Sequence, residues 1–157
     1  MLDKPLLISP HDKLIGLSCG DQPIATLVDG TNSGAAAGSP VSAGYISMRP
    51  GAVDAPYCKP NTWVYMLLWS ASPLGSITMY GSALQGMIHQ KPGQLLLVPP
   101  GIPHATANPS PTHDVIIYKF CANPSIHADN AVCEELRAHL ESQMPMLFDI
   151  PANQPNR

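Results

Sequence analysis

Apolar residues along this chain fall into short runs that alternate with segments rich in glycine and proline. The runs are too short for buried helices and are bounded by turn formers, so they predict β-strands. The main predicted strands are 43–48, 62–69, 76–80, 85–90, 94–98, 104–107 and 114–122. Shorter apolar pieces lie at 6–8, 14–17 and 24–28. Many short strands with tight connections and no internal repeat predict an all-β sandwich or barrel.

The pattern changes near the C-terminus, where it predicts a helix. Asp129 can act as the N-cap of this helix, and Glu134 and Glu135 lie near its positive end. Apolar residues recur on one face at four-residue steps: Val132, Leu136 and Leu140. Pro145 ends the predicted helix. A helix of this kind packs on the outside of a barrel or against a second subunit.

The length of 157 residues predicts a single domain with a sizeable core. Residues 30–40 have linker composition, and we interpret them as an exposed loop rather than a domain boundary. Residues 1–40 then comprise N-terminal strands and this loop, 41–124 the barrel core, 125–145 the C-terminal helix and 146–157 a tail.

Composition narrows the choice of partners and compartment. Charged residues make up only 12% of the chain against 45% hydrophobic, which predicts that a partner subunit covers some of the surface, as in a homodimer. The net charge of -3 and the lack of basic clusters argue against nucleic acid and anionic membranes. No run is long enough to span a bilayer and no secretion signal is visible, so we expect a cytoplasmic protein. The four cysteines are scattered without a metal-binding spacing.

The segment 93–108, GQLLLVPPGIPHATAN, contains the clearest candidate for a functional residue. Pro99 and Pro103 cannot donate to a β-ladder, so they place a bend at the end of the strand. Gly101 permits a positive backbone φ between them. His104 therefore begins the next strand at a stiff corner, which would hold an imidazole in one orientation. We interpret His104 as a residue of the barrel interior.

The fixed positions Gly93, Pro99, Gly101, His104 and Asn108 have the spacing G-x5-P-x-G-x2-H-x3-N. This spacing resembles the second sequence motif of the cupin superfamily. The resemblance implies a single cupin barrel, that is, a jelly roll or double-stranded β-helix, with a C-terminal α-helix. It also implies that a small molecule, as substrate or ligand, binds inside the barrel.

The first cupin motif, G-x5-H-x-H-x(3,4)-E-x6-G, is altered in this chain. Counting from Gly51, the histidine positions hold Tyr57 and Lys59, and the glutamate position holds Trp63 or Thr62. Cupins with the full motif hold iron, manganese, nickel or zinc on three histidines and a carboxylate. Since the residues found here are poor ligands, we expect no cofactor. If a divalent transition metal does bind, its ligands would be His104 and Cys58, although strand alternation directs Cys58 away when Tyr57 points inward.

These residues suit proton transfer. His104 can act as a base, Tyr57 can hydrogen bond to a developing enolate, and Lys59 can act as a base, an oxyanion-stabilising cation or a Schiff-base amine. Trp63, Tyr65 and Trp69 alternate along one strand, either as an aromatic wall for substrate or as ordinary core. Further candidates for substrate binding are Gln90, Tyr118 and Arg49, although the pattern does not settle whether Tyr118 or Lys119 faces inward.

The sequence thus predicts a metal-independent cupin enzyme, an isomerase, cyclase, dehydratase or epimerase, acting on a small, partly apolar biosynthetic intermediate. Two alternatives stay open. One is a metal-dependent dioxygenase or lyase with a non-standard ligand set. The other is a non-catalytic module that binds a small ligand.

Overall fold

The computed structural model describes residues 15–17, 23–31 and 37–148. The strands in these ranges are β1 (Ile15–Leu17), β2 (Pro23–Val28), β3 (Ser42–Met48), β4 (Tyr57–Cys58), β5 (Val64–Ser70), β6 (Ser76–Tyr80), β7 (Gly86–Gln90), β8 (Leu95–Val98), β9 (His104–Ala107), β10 (Val115–Cys121) and β11 (Ala131–Val132). A 3-10 turn at Glu134–Leu136 leads into helix α1 (Arg137–Phe148). The main predicted strands are confirmed to within about two residues at each end, the usual uncertainty of such boundaries. The apolar piece at 6–8 lies outside the described residues.

The strands form two antiparallel sheets, which confirms the all-β prediction. The six-stranded sheet has the order β1-β2-β3-β10-β5-β8, and the five-stranded sheet has the order β11-β4-β9-β6-β7. Side-chain hydrogen bonds join the two sheets across the interior. Lys119 of β10 reaches Tyr57 of β4, and Gln90 of β7 reaches the Met66 carbonyl of β5. The inner faces of the sheets therefore face each other, as in a jelly roll.

Strict alternation along the central strands fills the space between the sheets. On β5, Val64, Met66 and Leu68 are buried, whereas Trp69 of the same strand and Trp63, just before the strand, are exposed. Burying each apolar side chain of this size stabilises the fold by about 1.5–3 kcal/mol. The main core of the protein consists of these residues with Ile24, Ile46, Met48, Val98, Val115, Ile117, Cys121 and Ile126.

A second apolar cluster lies on the outer face of the five-stranded sheet. Ile77 and Met79 of β6, with Ala105 and Ala107 of β9, pack there against the C-terminal segment. That segment contributes Cys133, Leu136, Leu140 and Leu147. Helix α1 thus covers this sheet from outside. No helix in the described ranges has the length and apolar character needed to cross a bilayer.

The predicted start and end of the helix are wrong. Asp129 adopts a left-handed φ of 58° and caps no helix. Its carboxylate instead accepts hydrogen bonds from the Asn61 backbone N–H at 2.6 Å and the Thr62 hydroxyl at 3.0 Å. The chain then extends as β11, which pairs with β4, so long-range pairing overrides the local helical pattern here. Pro145 lies inside α1, where it removes a donor without ending the helix.

The glycine-rich loop at 30–40 is described only at its ends. The Gly38 N–H donates to the Gly30 carbonyl at 2.9 Å, which closes the loop on itself. Residues 32–36 lie outside the described ranges, and so does the part of the predicted tail after Phe148. Residues 146–148, assigned to the tail from sequence, belong to α1.

Candidate functional site

His104 lies at the corner that the sequence predicts. Gly101 has a φ of 74°, as expected between two prolines, and its N–H donates to the Lys59 carbonyl at 2.9 Å. The chain then enters β9, where His104 is paired with Tyr57 on one side and Tyr80 on the other. The side chain of His104 is 1% exposed. The predicted interior position of this histidine is therefore confirmed.

The hydrogen bonds of the imidazole determine its tautomer. Nδ1 lies 3.0 Å from the Ile102 carbonyl oxygen, which can only accept, so Nδ1 carries the proton. Nε2 therefore presents a lone pair to the interior of the barrel. This atom is buried and has no hydrogen-bond partner among the described residues. A buried acceptor without a hydrogen-bond partner lowers the stability of the fold. A donor on a bound molecule would satisfy it.

The surroundings of His104 keep its ring neutral. The pKa of His104 is lowered from 6.5 to about 4, mainly by burial and to a smaller extent by the positive charges of Lys119 and Lys59, while the hydrogen bond to Ile102 opposes this change. At neutral pH the imidazole is thus uncharged and can accept a proton or a hydrogen bond at Nε2.

Tyr57 and Lys119 form a hydrogen-bonded pair beside this ring. The rings of Tyr57 and His104 are tilted by 56°, with centroids 4.4 Å apart. The Lys119 ammonium donates to the Tyr57 hydroxyl oxygen at 3.0 Å and lies 4.5 Å from the centroid of the same ring. All three side chains are buried. An ammonium that donates to the phenol oxygen stabilises negative charge that develops nearby.

Lys59 is buried as predicted, but its ammonium points toward the segment 125–130. Nζ donates to the carbonyls of Ile126, at 3.1 Å, and Ala128. The positive charge of Lys59 contributes to lowering the pKa of His104, after burial and the charge of Lys119.

The described residues do not assemble a metal site of the kind that the full first motif would form. Cys58 follows Tyr57 in the strand and therefore points to the other face, where it packs against the cluster beneath α1. Burial there raises the pKa of its neighbour Cys133 to about 11, and Cys58 adds to this rise. No group of three histidine, cysteine or carboxylate side chains converges anywhere in the described ranges. A donor set of one imidazole, a phenol and ammonium groups does not fit a divalent transition metal.

The remaining polar candidates have structural partners. Gln90 faces inward as predicted, and its Nε2 donates to the carbonyls of Met66, at 2.8 Å, and Gln94, at 2.6 Å. Arg49 is exposed and lies beside Asn108, about 13 Å along β9 from His104 at about 3.3 Å per residue. A role for Arg49 in substrate binding therefore stays a prediction.

The predicted aromatic wall faces outward. Trp63 is 41% exposed and Trp69 is 54% exposed, and Tyr65 lies between them on the same outer face of the six-stranded sheet. Tyr118 also faces outward, where its ring lies 6.1 Å from that of Tyr45. These side chains do not line the interior, because the buried positions of β5 and β10 are the alternate ones.

Sequence reasoning left Lys119 undecided and did not identify Asp54. Both are buried in the barrel, Asp54 beside β9 with its N–H donating to the Thr106 carbonyl at 2.8 Å. The available signal for Lys119 was a lysine within the apolar run VIIYKFC. Both faces of that strand are apolar, so alternation alone could not decide whether the lysine faces the interior. The Thr78–Thr106 hydroxyl pair, at 3.1 Å, adds a further polar contact to the interior.

Comparison with known proteins supports the fold. No protein-family model and no curated protein sequence matches the chain. Among solved structures, a cupin-like protein from Thermotoga maritima is 14% identical with a TM-score of 0.51, covering 76% of this chain and 85% of that one. Oxalate oxidase is 13% identical with a TM-score of 0.53, covering 80% of this chain and 69% of that one. Streptomyces PAC13, solved with uridine, is 8% identical with a TM-score of 0.58, covering 82% and 90%.

The chain therefore has the cupin fold, a double-stranded β-helix barrel. Proteins that share this fold include enzymes, of which oxalate oxidase is an example. At these identities the likeness concerns the fold, and the chemistry must be argued from the site.

Proposed function

We propose that this protein is a small-molecule enzyme in which residues inside the cupin barrel transfer protons without a bound metal. The observation that carries the proposal is the buried, unpartnered Nε2 of His104 beside the Tyr57–Lys119 pair. Such a group costs stability unless a ligand satisfies it, and buried polar groups of this kind concentrate at functional sites.

Each group has a distinct role in this proposal. The lone pair on His104 Nε2 accepts a proton from a carbon or hydroxyl of the substrate. Tyr57 donates a hydrogen bond to the oxygen on which negative charge develops, and the Lys119 ammonium stabilises that charge through Tyr57. A substrate that brings negative charge next to the ring would offset the two lysine charges and raise the pKa of His104 from its value of about 4.

The surroundings favour a compact, partly apolar substrate. Val64, Met66 and Val98 line the same interior as the polar cluster, so a ligand there meets apolar walls with a few polar groups. PAC13, with uridine in its crystal, is a cupin-fold protein that was solved with a small polar molecule bound. Proton-transfer reactions such as isomerisation, cyclisation, dehydration or epimerisation need no further reactant from the protein.

The test begins with a panel of small metabolites carrying an acidic C–H or a leaving hydroxyl, assayed for turnover by mass spectrometry. Once a substrate is found, His104→Gln should lower turnover by about 10²–10⁴-fold, the usual contribution of a general base. Tyr57→Phe, which removes only the hydroxyl, should lower turnover while leaving substrate affinity within a few fold. The matched control is Tyr118→Phe, on the outer face, which should leave both unchanged.

Two results would overturn the proposal. Stoichiometric transition metal in protein purified without chelator would show that the chemistry is metal-based. Ligand binding without turnover, with His104→Gln affecting only affinity, would show that the protein is a binding module rather than an enzyme.

A further inference from the structure

The outer face of the six-stranded sheet is apolar and exposed. Its most exposed members are Leu95 at 60%, Trp69 at 54%, Leu97 at 46%, and Trp63 and Phe120 at 41% each. They lie on neighbouring strands, since β10 pairs with β5 and β5 pairs with β8. We call these five residues, together with the adjacent Tyr65, Leu67, Ile116 and Tyr118, the aromatic face.

The two sheets differ in how their outer faces are covered. On the five-stranded sheet, Leu136, Leu140 and Leu147 of the C-terminal segment pack over the outward residues of β6 and β9. On the six-stranded sheet, the five most exposed side chains of the aromatic face are 41–60% exposed. Within the described ranges, one sheet thus has its outer face covered by a segment of the chain, whereas the other keeps apolar side chains exposed.

The exposed apolar area of the aromatic face is large enough to form the centre of a subunit interface. Large apolar side chains have about 150–250 Å² of surface each, so the five most exposed residues together present about 500 Å² at their exposed fractions. The largest apolar patch of a typical monomer is about 300–600 Å², and a stable interface buries about 800 Å² per partner. A dimer of standard size would have to bury a further area of about 300 Å² per subunit, from the partly exposed residues of the aromatic face and a rim around it.

The chemistry of the face favours a second copy of this chain as the occupant. The outward positions of the central strands carry no charge: Ala43, Tyr45 and Ser47 on β3, Ile116, Tyr118 and Phe120 on β10, Tyr65, Leu67 and Trp69 on β5, and Leu95 and Leu97 on β8. A two-fold interface sets the same patch of both subunits against each other, so a patch with a net charge would repel its own copy. An uncharged aromatic surface avoids this repulsion and offers nothing to attract nucleic acid or a strongly charged partner.

The face also combines a groove with an exposed aromatic side chain at its edge. A groove of about 460 Å³ runs beside Trp69 and is lined by Leu67, Pro92, Gly93 and Tyr118. Trp69 stands at its edge with more than half of its surface exposed. Under two-fold symmetry, the indole of each copy can enter the groove of the other, which is the arrangement of a buried aromatic anchor in a pocket.

We propose that the aromatic face is the interface of a homodimer, in which Trp69 of each subunit occupies the groove beside Trp69 of the other. The proposal is independent of the chemistry proposed for the barrel interior, because none of its residues contacts His104 or Tyr57 in the fold described above.

The chain offers an intrinsic probe for this test. Its two tryptophans, Trp63 and Trp69, both lie on the aromatic face, so tryptophan fluorescence reports on that surface alone. At micromolar concentration, sedimentation should give twice the chain mass of 16.7 kDa. Dilution should shift tryptophan emission to longer wavelength and increase quenching by iodide, with the same midpoint as the loss of dimer mass.

A pair of matched variants separates this interface from a general effect of surface charge. Leu97→Glu places a charge on the aromatic face and should give a monomer with red-shifted emission at all concentrations. Met87→Glu, at a 53% exposed position on β7 of the other sheet, should remain dimeric. Circular dichroism checks that both variants fold. If Leu97→Glu does not fold, Leu95→Lys serves as a second variant that places a charge on the aromatic face.

Three results would overturn the proposal. The wild-type protein could sediment as a monomer throughout the micromolar range. The Leu97→Glu and Leu95→Lys variants could stay dimeric while folded. The protein could be monomeric and show blue-shifted emission only on addition of phosphatidylcholine vesicles, which would make the aromatic face a lipid-binding surface instead.

Discussion

The neutral, buried state of His104 should make the stability of this protein depend on pH in a specific way. Its pKa is lowered by burial from 6.5 to about 4 in the folded chain. When the chain unfolds, the ring is hydrated and its pKa returns to about 6.5. As the pH falls, the unfolded chain therefore takes up this proton first. Stability should be complete above about pH 7 and decrease as the pH falls from 6.5 toward 4.

The size of this effect follows from the two pKa values. Each pH unit between them corresponds to about 1.36 kcal/mol, so the full loss is about 3 kcal/mol. About 2 kcal/mol should already be lost on going from pH 8 to pH 5. For a domain with a total stability of about 5–15 kcal/mol, this is readily measured.

Urea denaturation of the wild-type protein and of His104→Gln, from pH 8 to pH 5, tests this prediction. The wild-type free energy of unfolding should fall by about 2 kcal/mol over this range, and the variant should lose most of that dependence. The change with pH is the quantity compared, so any uniform effect of the substitution on stability cancels. His139→Gln, at an exposed position on α1, is the control and should follow the wild-type curve.

If the free energy of unfolding changed with pH in the same way in the wild type and in His104→Gln, the buried ring of His104 would not be the cause of the pH dependence. The same conclusion would follow if the His104 ring, observed directly by nitrogen NMR, titrated near pH 6.5 in the folded protein. Either result would mean that water or a charged partner reaches Nε2, and that the ring is not held neutral by burial.

Other substitutions test the packing around the site. Asn108→Ala should lower the free energy of unfolding by about 2–3 kcal/mol, measured in urea, since the Asn108 side-chain nitrogen donates to the buried carbonyl of Met48 and to the partly buried carbonyls of Arg49 and His113. Met66→Ala should cost about 2–5 kcal/mol by the same assay because it opens a cavity in the main core. Asp129→Asn should be less stable than the wild type at neutral pH and less sensitive to acid below about pH 4, because hydrogen bonding to Asn61 lowers the pKa of Asp129. Measuring the free energy of unfolding of both proteins as a function of pH below about pH 4 checks this prediction. An identical loss of stability with falling pH in the two proteins would contradict it.

Much of the candidate site was predictable from local sequence. Proline and glycine act through the backbone of a few neighbouring residues, so the corner at 99–103 and the burial of His104 could be predicted without knowing the fold. The alternation of Tyr57, Cys58 and Lys59 was also predictable, because successive side chains of a strand point to opposite faces. The start of the helix was less predictable. The pairing of β11 with β4 joins distant segments, and it overrides the local helical pattern around Asp129.

Local pattern therefore specifies where the strands lie, where they turn and which histidine the corner holds. It cannot orient a strand whose two faces are both apolar, as in β5 and β10, because either orientation buries hydrophobic surface. Pairing with the neighbouring strands and packing against the opposite sheet settle that orientation. They place Trp63, Trp69 and Tyr118 outside and Lys119 inside. The contact between Lys119 and Tyr57 joins residues 62 positions apart on opposite sheets, and it arises from the packing of the two sheets.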